Sequence, residues 1–264
     1  GIYRAATGSG ALNTLPISVT PYAVKFEKRL PVKIMFLALF FATIQYMFML
    51  GTRTQFAILL LIVILAALQF AYSEHGIAGI LKCLGIMVVI SLIAFLLYHF
   101  NVLSIRDYIL STNLAARYER RASLENSDSF RFQSFWIGLR ELIQYPMGGR
   151  ASQVYRHNMW LDVGRVSGII PFCLLLVYSI KNFANVTVIW KNTKILPSLR
   201  YLLLFLYIGA YVNCFVEPIW EGALNFFLAL CVVDGMVSAM MRRLENDPTP
   251  EESVSDTSNL HTDL

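Results

Sequence analysis

The sequence predicts an all-α fold: a polytopic integral membrane helical bundle with a long periplasmic loop that contains an amphipathic helix. Three observations carry that prediction. Of 264 residues, 56% are hydrophobic and 15% charged, whereas a soluble globular domain has about 25% charged residues. The apolar runs reach the length of a span, about 20 mainly apolar residues. Residues 57–72 have one polar interior side chain, Gln69, and 77–100 are strongly polar only at Lys82, Ser91 and His99. Finally, the lysines sort to one side of the bilayer once the spans are numbered.

Spans are expected near 11–24, 34–50, 56–72, 77–99, 166–180, 199–216 and 222–240. The first carries Asn13, Pro16, Ser18, Thr20 and Pro21. It reads as either a kinked span facing protein or a re-entrant piece, because such polarity is tolerated only where neighbouring helices or cavity water satisfy it. Alternating the chain across the bilayer puts Lys25, Lys28, Lys33, Lys82, Lys181, Lys191 and Lys194 on one face, with Arg29, Arg200, Arg242 and Arg243. The positive-inside rule makes that face cytoplasmic. The chain then divides into membrane helices over 1–100, a periplasmic loop over 101–165, membrane helices over 166–242 and a disordered, acidic, Ser/Thr/Pro-containing cytoplasmic tail over 243–264. Cys83, Cys173, Cys214 and Cys231 all fall inside spans without CxxC spacing, so they read as packing residues.

The 101–165 loop holds nine arginines and no lysine. A guanidinium offers phosphate oxygens a planar fork of donors and keeps its charge when partly desolvated. Arg117, Arg120 and Arg121 form a basic knot in the charged first part. From 130 to 144, Phe132, Trp136, Leu139 and Ile143 recur at three- and four-residue spacing, with Phe135 and Leu142 widening the stripe. That is an amphipathic helix, lying flat on the outer leaflet or against the bundle. Pro146 ends it, and Gly148 and Gly149 permit a turn before Arg150. Asn158 or a neighbour starts the return into the membrane through Trp160, with Tyr155 and Trp160 expected as interfacial anchors.

His157 closes the loop. An imidazole near pKa 6.5 can take a proton from a sugar hydroxyl at neutral pH, and Asp162, Glu217 and Glu221 are candidate orienting carboxylates. A single histidine in this position is also a common structural residue. No second histidine has ligand spacing to it, so neither metal nor cofactor is expected. Arg53, in Gly51–Thr52–Arg53–Thr54, caps the third span on the same face, where it is either a headgroup contact or a second phosphate contact.

The ordered set of Thr52–Arg53–Thr54, then Arg131 with Trp136 ahead of Tyr145–Pro146–Met147–Gly148–Gly149, then His157–Asn158 with nine residues before Gly168, resembles the bacterial O-antigen ligase and O-antigen polymerase family of membrane glycosyltransferases. The match covers about residues 50–170, and the rest only by topology. It departs at Pro171, where the ligase branch has Gly, Thr or Tyr. The resemblance implies a bacterial inner (plasma) membrane protein with its active face in the periplasm and further spans ahead of residue 1. It implies an undecaprenyl-pyrophosphate-linked glycan as donor, with Arg53 and Arg131 on the pyrophosphate and His157 activating the acceptor hydroxyl for an inverting, metal-independent transfer. Arg140, Arg150, Arg156, Asn158 and Glu217 are expected to bind substrate. The acceptor is a lipid A-core sugar in a ligase or a lipid-linked repeat unit in a polymerase. Membrane lipids are the other expected partners, and no nucleic acid is. A transporter or channel would need charged or broken spans lining a path, which only 11–24 offers.

Overall fold

The computed structural model describes the backbone of residues 2–122 and 127–246, and side chains at 10–116, 119 and 132–246. Among these residues all regular structure is helical: α1 (Ile2–Phe26), α2 (Leu30–Leu50), α3 (Arg53–His99), α4 (Ile105–Leu110), α5 (Asn113–Ala122), α6 (Ser127–Gln144), α7 (Met159–Ser167), α8 (Ile169–Lys191), α9 (Pro197–Val216), α10 (Ile219–Gly222) and α11 (Leu224–Asn246). The side chains of Arg117, Arg120, Arg121 and Arg131, and the tail from 247 onward, lie outside the described residues.

Five helices, α2, α3, α8, α9 and α11, are long and apolar enough to cross a membrane. The 47 residues of α3 are broken at Gly76 (φ 61°, ψ −143°), between the two spans expected there. Large apolar side chains stand outward along these helices: Phe41 is 65% exposed, Ile77 73% and Val88 68%. Burying each such side chain is worth about 1.5–3 kcal/mol against water, so a row of them left outward belongs against lipid. The class these helices define is a multi-pass, all-α membrane protein.

The polar first helix is continuous and lies inside the bundle. Although α1 contains Pro16 and Pro21, its Ala11, Thr14, Ile17 and Ser18 are fully buried against α3 and α9. The contact with α9 is close because position 209 has no side chain: a Cβ there would lie 2.3 Å from Ser18 Oγ and 3.1 Å from Thr14 Cγ2. One turn along, Asn213 accepts from Gln55 Nε2 at 3.3 Å and donates to the Ala11 carbonyl at 3.5 Å. Small residues and interhelical hydrogen bonds are the means by which helices associate where lipid supplies no hydrophobic drive. A second polar lock sits in α11, where buried Asp234 accepts from Tyr178 and Tyr207, joining α8, α9 and α11.

The 101–165 segment is more helical than expected. Instead of one amphipathic helix it holds α4, α5, α6 and α7, with a 3-10 turn at Val102–Ser104. The helix formers Ala, Arg, Leu and Glu dominate α5, and Asn113 Nδ2 ties its start to the Met49 carbonyl at 2.6 Å. In α6 the expected stripe divides. Phe132, Trp136 and Ile143 are exposed, whereas Ser134, Gly138 and Leu142 are buried. Trp160 also departs from the expected interfacial role: it is buried in the core, its Nε1 donating to Ser179 Oγ at 3.0 Å and its ring stacked on Tyr211.

Gly209→Val forces side-chain volume into the α1–α9 contact and is expected to cost about 1–3 kcal/mol. Thermal unfolding in detergent should show a lowered midpoint. An unchanged midpoint would mean the helices separate without loss.

Candidate active site at one end of the bundle

Two of the sequence-predicted elements meet at the end of α9. Thr52 is the N-cap residue of α3, which begins at Arg53. The next residue, Thr54, donates from its hydroxyl to Glu217 Oε1, and Glu217 is the C-cap of α9. Two residues earlier, the Phe215 carbonyl accepts from Asn158 Nδ2 at 3.2 Å. The Arg53–Thr54 segment and the His157–Asn158 pair therefore hold onto positions two residues apart on one strand of chain. The α6 helix reaches the same place, with the Phe135 ring 5.8 Å from that of Phe215. Lys25 pairs with Glu74 at the far end of α1 and the first half of α3, so the site occupies one end only.

His157 sits in a forced turn. Its φ is 54°, the left-handed region that costs a residue with a side chain on the order of 1–3 kcal/mol. Both neighbours are fixed. Behind it, the Arg156 amide donates to Asp162 Oδ1 at 2.6 Å. Ahead, Asn158 caps α7, its Oδ1 accepting from the Leu161 amide at 3.0 Å. Both ends of the Asn158 amide are thus engaged within the protein, although it was expected to bind substrate. Tyr155 meets the half-buried His157 ring edge-on at 4.7 Å.

Beneath this turn lies a charge network that composition did not single out. The Arg165 side chain is 1% exposed. Its Nη1 donates to the carbonyls of Arg150, Ala151 and Gln153 at 2.6, 3.1 and 2.8 Å, and its Nη2 to Glu221 of α10. Its Nε lies 3.6 Å from Asp162 Oδ1. Asp162 is fully buried, and that burial pushes its carboxyl up to about 6, against the opposing pull of the Arg156 amide and Arg165; Glu221 pushes it further up.

The glycines of the motif explain the fit between loop and helix. The Gly149 and Arg150 amides donate to the carbonyls of Val166 and Arg165 at 2.9 and 3.1 Å, and the Ile169 amide to that of Pro146 at 2.8 Å. Gly148 and Gly168 have φ of 74° and 96°. A Cβ on Gly148 would lie 2.5 Å from Gly168 N, and one on Gly168 2.4 Å from Pro146 O. Backbone packs on backbone here, and only glycine fits.

The arginines divide by partner. Arg156 grips Glu141 bidentately, with Nε–Oε2 at 3.0 Å and Nη2–Oε1 at 2.7 Å. Arg150 Nη2 lies 3.6 Å from the same carboxylate, and its guanidinium covers the Tyr145 ring at 4.1 Å. Two guanidinia thus share the Glu141 carboxylate, while Arg165 is flanked by two carboxylates, Asp162 and Glu221. Arg140 is exposed. The backbone of Arg131 lies one helical turn before Phe135 on α6. Among the described residues, no group of three or more His, Cys, Asp or Glu is placed to hold a metal ion. Arg165 is missed by sequence reasoning because it reads as one of nine arginines; the signal available was its position three residues after Asp162, a helical pair spacing.

Comparison of the chain with protein-family models, with curated proteins and with solved structures returns no match.

The Asp162 shift gives a testable pH dependence. Its folded value of about 6 lies above the ordinary 3.8, so the fold binds this proton more tightly than the unfolded chain does. The resulting stabilisation is complete below the unfolded value and is lost as pH rises through 6, about 3 kcal/mol in all. Asp162→Asn has no proton to lose. Its melting temperature relative to wild type should therefore climb between pH 4.5 and 7; a constant difference would show that the carboxyl titrates normally.

Proposed function

We propose that this chain is a membrane glycosyltransferase of the O-antigen ligase and polymerase type, moving a glycan from a lipid-linked pyrophosphate to a sugar hydroxyl at the periplasmic face. The observation that carries the reading is the meeting of the Arg53–Thr54 and His157–Asn158 segments on the last residues of α9, two motifs more than a hundred residues apart in the sequence. The strained turn at His157 supports it too, since such strain clusters where function requires it.

In this reaction His157 accepts the proton of the acceptor hydroxyl. The freed oxygen lone pair forms a bond to the anomeric carbon from the face opposite the leaving group. The carbon–oxygen bond to the pyrophosphate breaks, and its electron pair leaves with the lipid pyrophosphate, inverting the centre. Arg53 and Arg131 stabilise the negative charge that grows on the departing oxygens. Arg150 and Arg156, which share Glu141, are the further guanidinia that meet the anion at this end of the bundle. The His157–Asn158 and Gly168 spacing favours a lipid A-core sugar as acceptor over a lipid-linked repeat. Loss of capped lipopolysaccharide with lipid-linked glycan retained marks the former, and loss of chain extension the latter.

His157→Ala is expected to lower transfer in membranes by about 10²–10⁴-fold, the range of a general base, while the protein stays inserted. Near-normal transfer would remove His157 from the reaction. Arg53→Lys and Arg131→Lys should each lose on the order of tenfold or more, because lysine keeps the charge without the fork; the same transfer assay reads both.

A further inference from the structure

We infer that Asp162 is the positioning residue of this site, acting on His157 through the backbone turn rather than through the imidazole. The inference rests on the reading of His157 as the base. An orienting carboxylate would ordinarily be sought on the ring itself. Here Asp162 Oδ1 accepts from the Arg156 amide at 2.6 Å, and Asp162 Oδ2 is buried with no hydrogen-bond partner among the described residues. The carboxylate therefore grips the peptide unit directly before His157. Asn158 grips the chain directly after it, through Leu161 N and Phe215 O. Between these two pins the His157 backbone stands at φ 54°, a conformation that persists only where its surroundings over-determine it.

The groups around Asp162 fit this role. Arg165 faces it from its own helix, Glu221 from α10 and Arg156 from the loop. Behind Arg156, from the α6 side, come Glu141 and Arg150. Arg165 also holds the carbonyls of 150, 151 and 153, so the same guanidinium that accompanies Asp162 fixes the start of the segment whose end Asp162 holds. The segment from 150 to 157 is tied at both ends to one helix, α7, and the imidazole follows α7 as a rigid attachment.

The test compares Asp162→Val, which removes the acceptor, with Asp162→Asn, which keeps an oxygen acceptor without the charge, on the full chain. Hydrogen exchange of peptides covering 150–158 reads the turn without any reaction. In Asp162→Val the Arg156 amide should exchange at least about tenfold faster, and in Asp162→Asn stay within about threefold of wild type. Transfer should follow: kcat falls by about 10–100-fold in Asp162→Val with KM within about twofold, and Asp162→Asn restores it, as expected when a reacting group is misplaced rather than removed. An amide still protected in Asp162→Val, or an Asn variant as impaired as the Val variant, overturns the inference. His157→Ala should leave the exchange pattern intact. If transfer survives in His157→Ala, the base assignment fails while the exchange result still decides the role of Asp162.

Discussion

One buried guanidinium holds this end of the molecule together. Arg165 is removed from solvent, and an unpaired buried charge costs several kcal/mol. Its surroundings supply acceptors to both terminal nitrogens, while Nε lies 3.6 Å from Asp162 Oδ1 without a hydrogen bond. Three come from main-chain carbonyls of 150, 151 and 153, one from Glu221, and Asp162 stands nearby. These groups belong to three pieces of the site: the loop before His157, the short helix α10 after α9, and α7 itself. Satisfying one charge thus fixes the relative placement of three segments. The backbone pairs at Gly149, Arg150 and Ile169 add direction to that fix, since they align the loop with the end of α7.

The other half of the site depends on the bundle core. Arg53 starts α3, and the place of α3 is set by the polar contacts it shares with α1 and α9. Gln55 reaches Asn213, Asn213 reaches the Ala11 carbonyl, and Thr54 reaches Glu217. A fully apolar helix face slides or rotates at little cost in lipid; a face carrying one amide and one hydroxyl in register does not. On the α1 side this lock uses main chain, the Ala11 carbonyl, together with the close approach at Gly209.

The membrane helices were legible because the bilayer imposes a length and a composition, and both are visible in runs such as 57–72 and 77–100. The break between those runs at Gly76 was legible for the same reason. Less of 101–165 could be read. Its charged first part gave no apolar period, yet α4 and α5 form there by packing on the end of α2. The predicted stripe of α6 was real but pointed outward at Phe132, Trp136 and Ile143, while the packed side used Ser134 and Gly138, residues a hydrophobic pattern passes over. The motifs name His157, Asn158 and Arg53 as candidates, and the fold brings their segments to the end of α9. The internal roles of Arg150, Arg156 and Arg165 could not be read, because composition counts arginines without showing which carboxylate or carbonyl each one reaches. Trp160 misled for a related reason. Its indole suits an interface, but Ser179 and Tyr211 offered it a hydrogen-bond acceptor and a stacking partner inside the bundle.

The two halves also differ in how far apart their contacts lie along the chain. Gly149 meets Val166 and Pro146 meets Ile169 across short loops, so the His157 turn can close soon after these residues are made. Thr54 meets Glu217 across 163 residues, and Asn158 meets Phe215 across 57. Closure of such long loops is slow to form even where it is cheap to keep. The final turn of α9 is thus a keystone in time as well as in space. Until Phe215 and Glu217 arrive, neither of these two contacts can form, and a nascent chain carries the arginine and histidine segments without their joint at the end of α9.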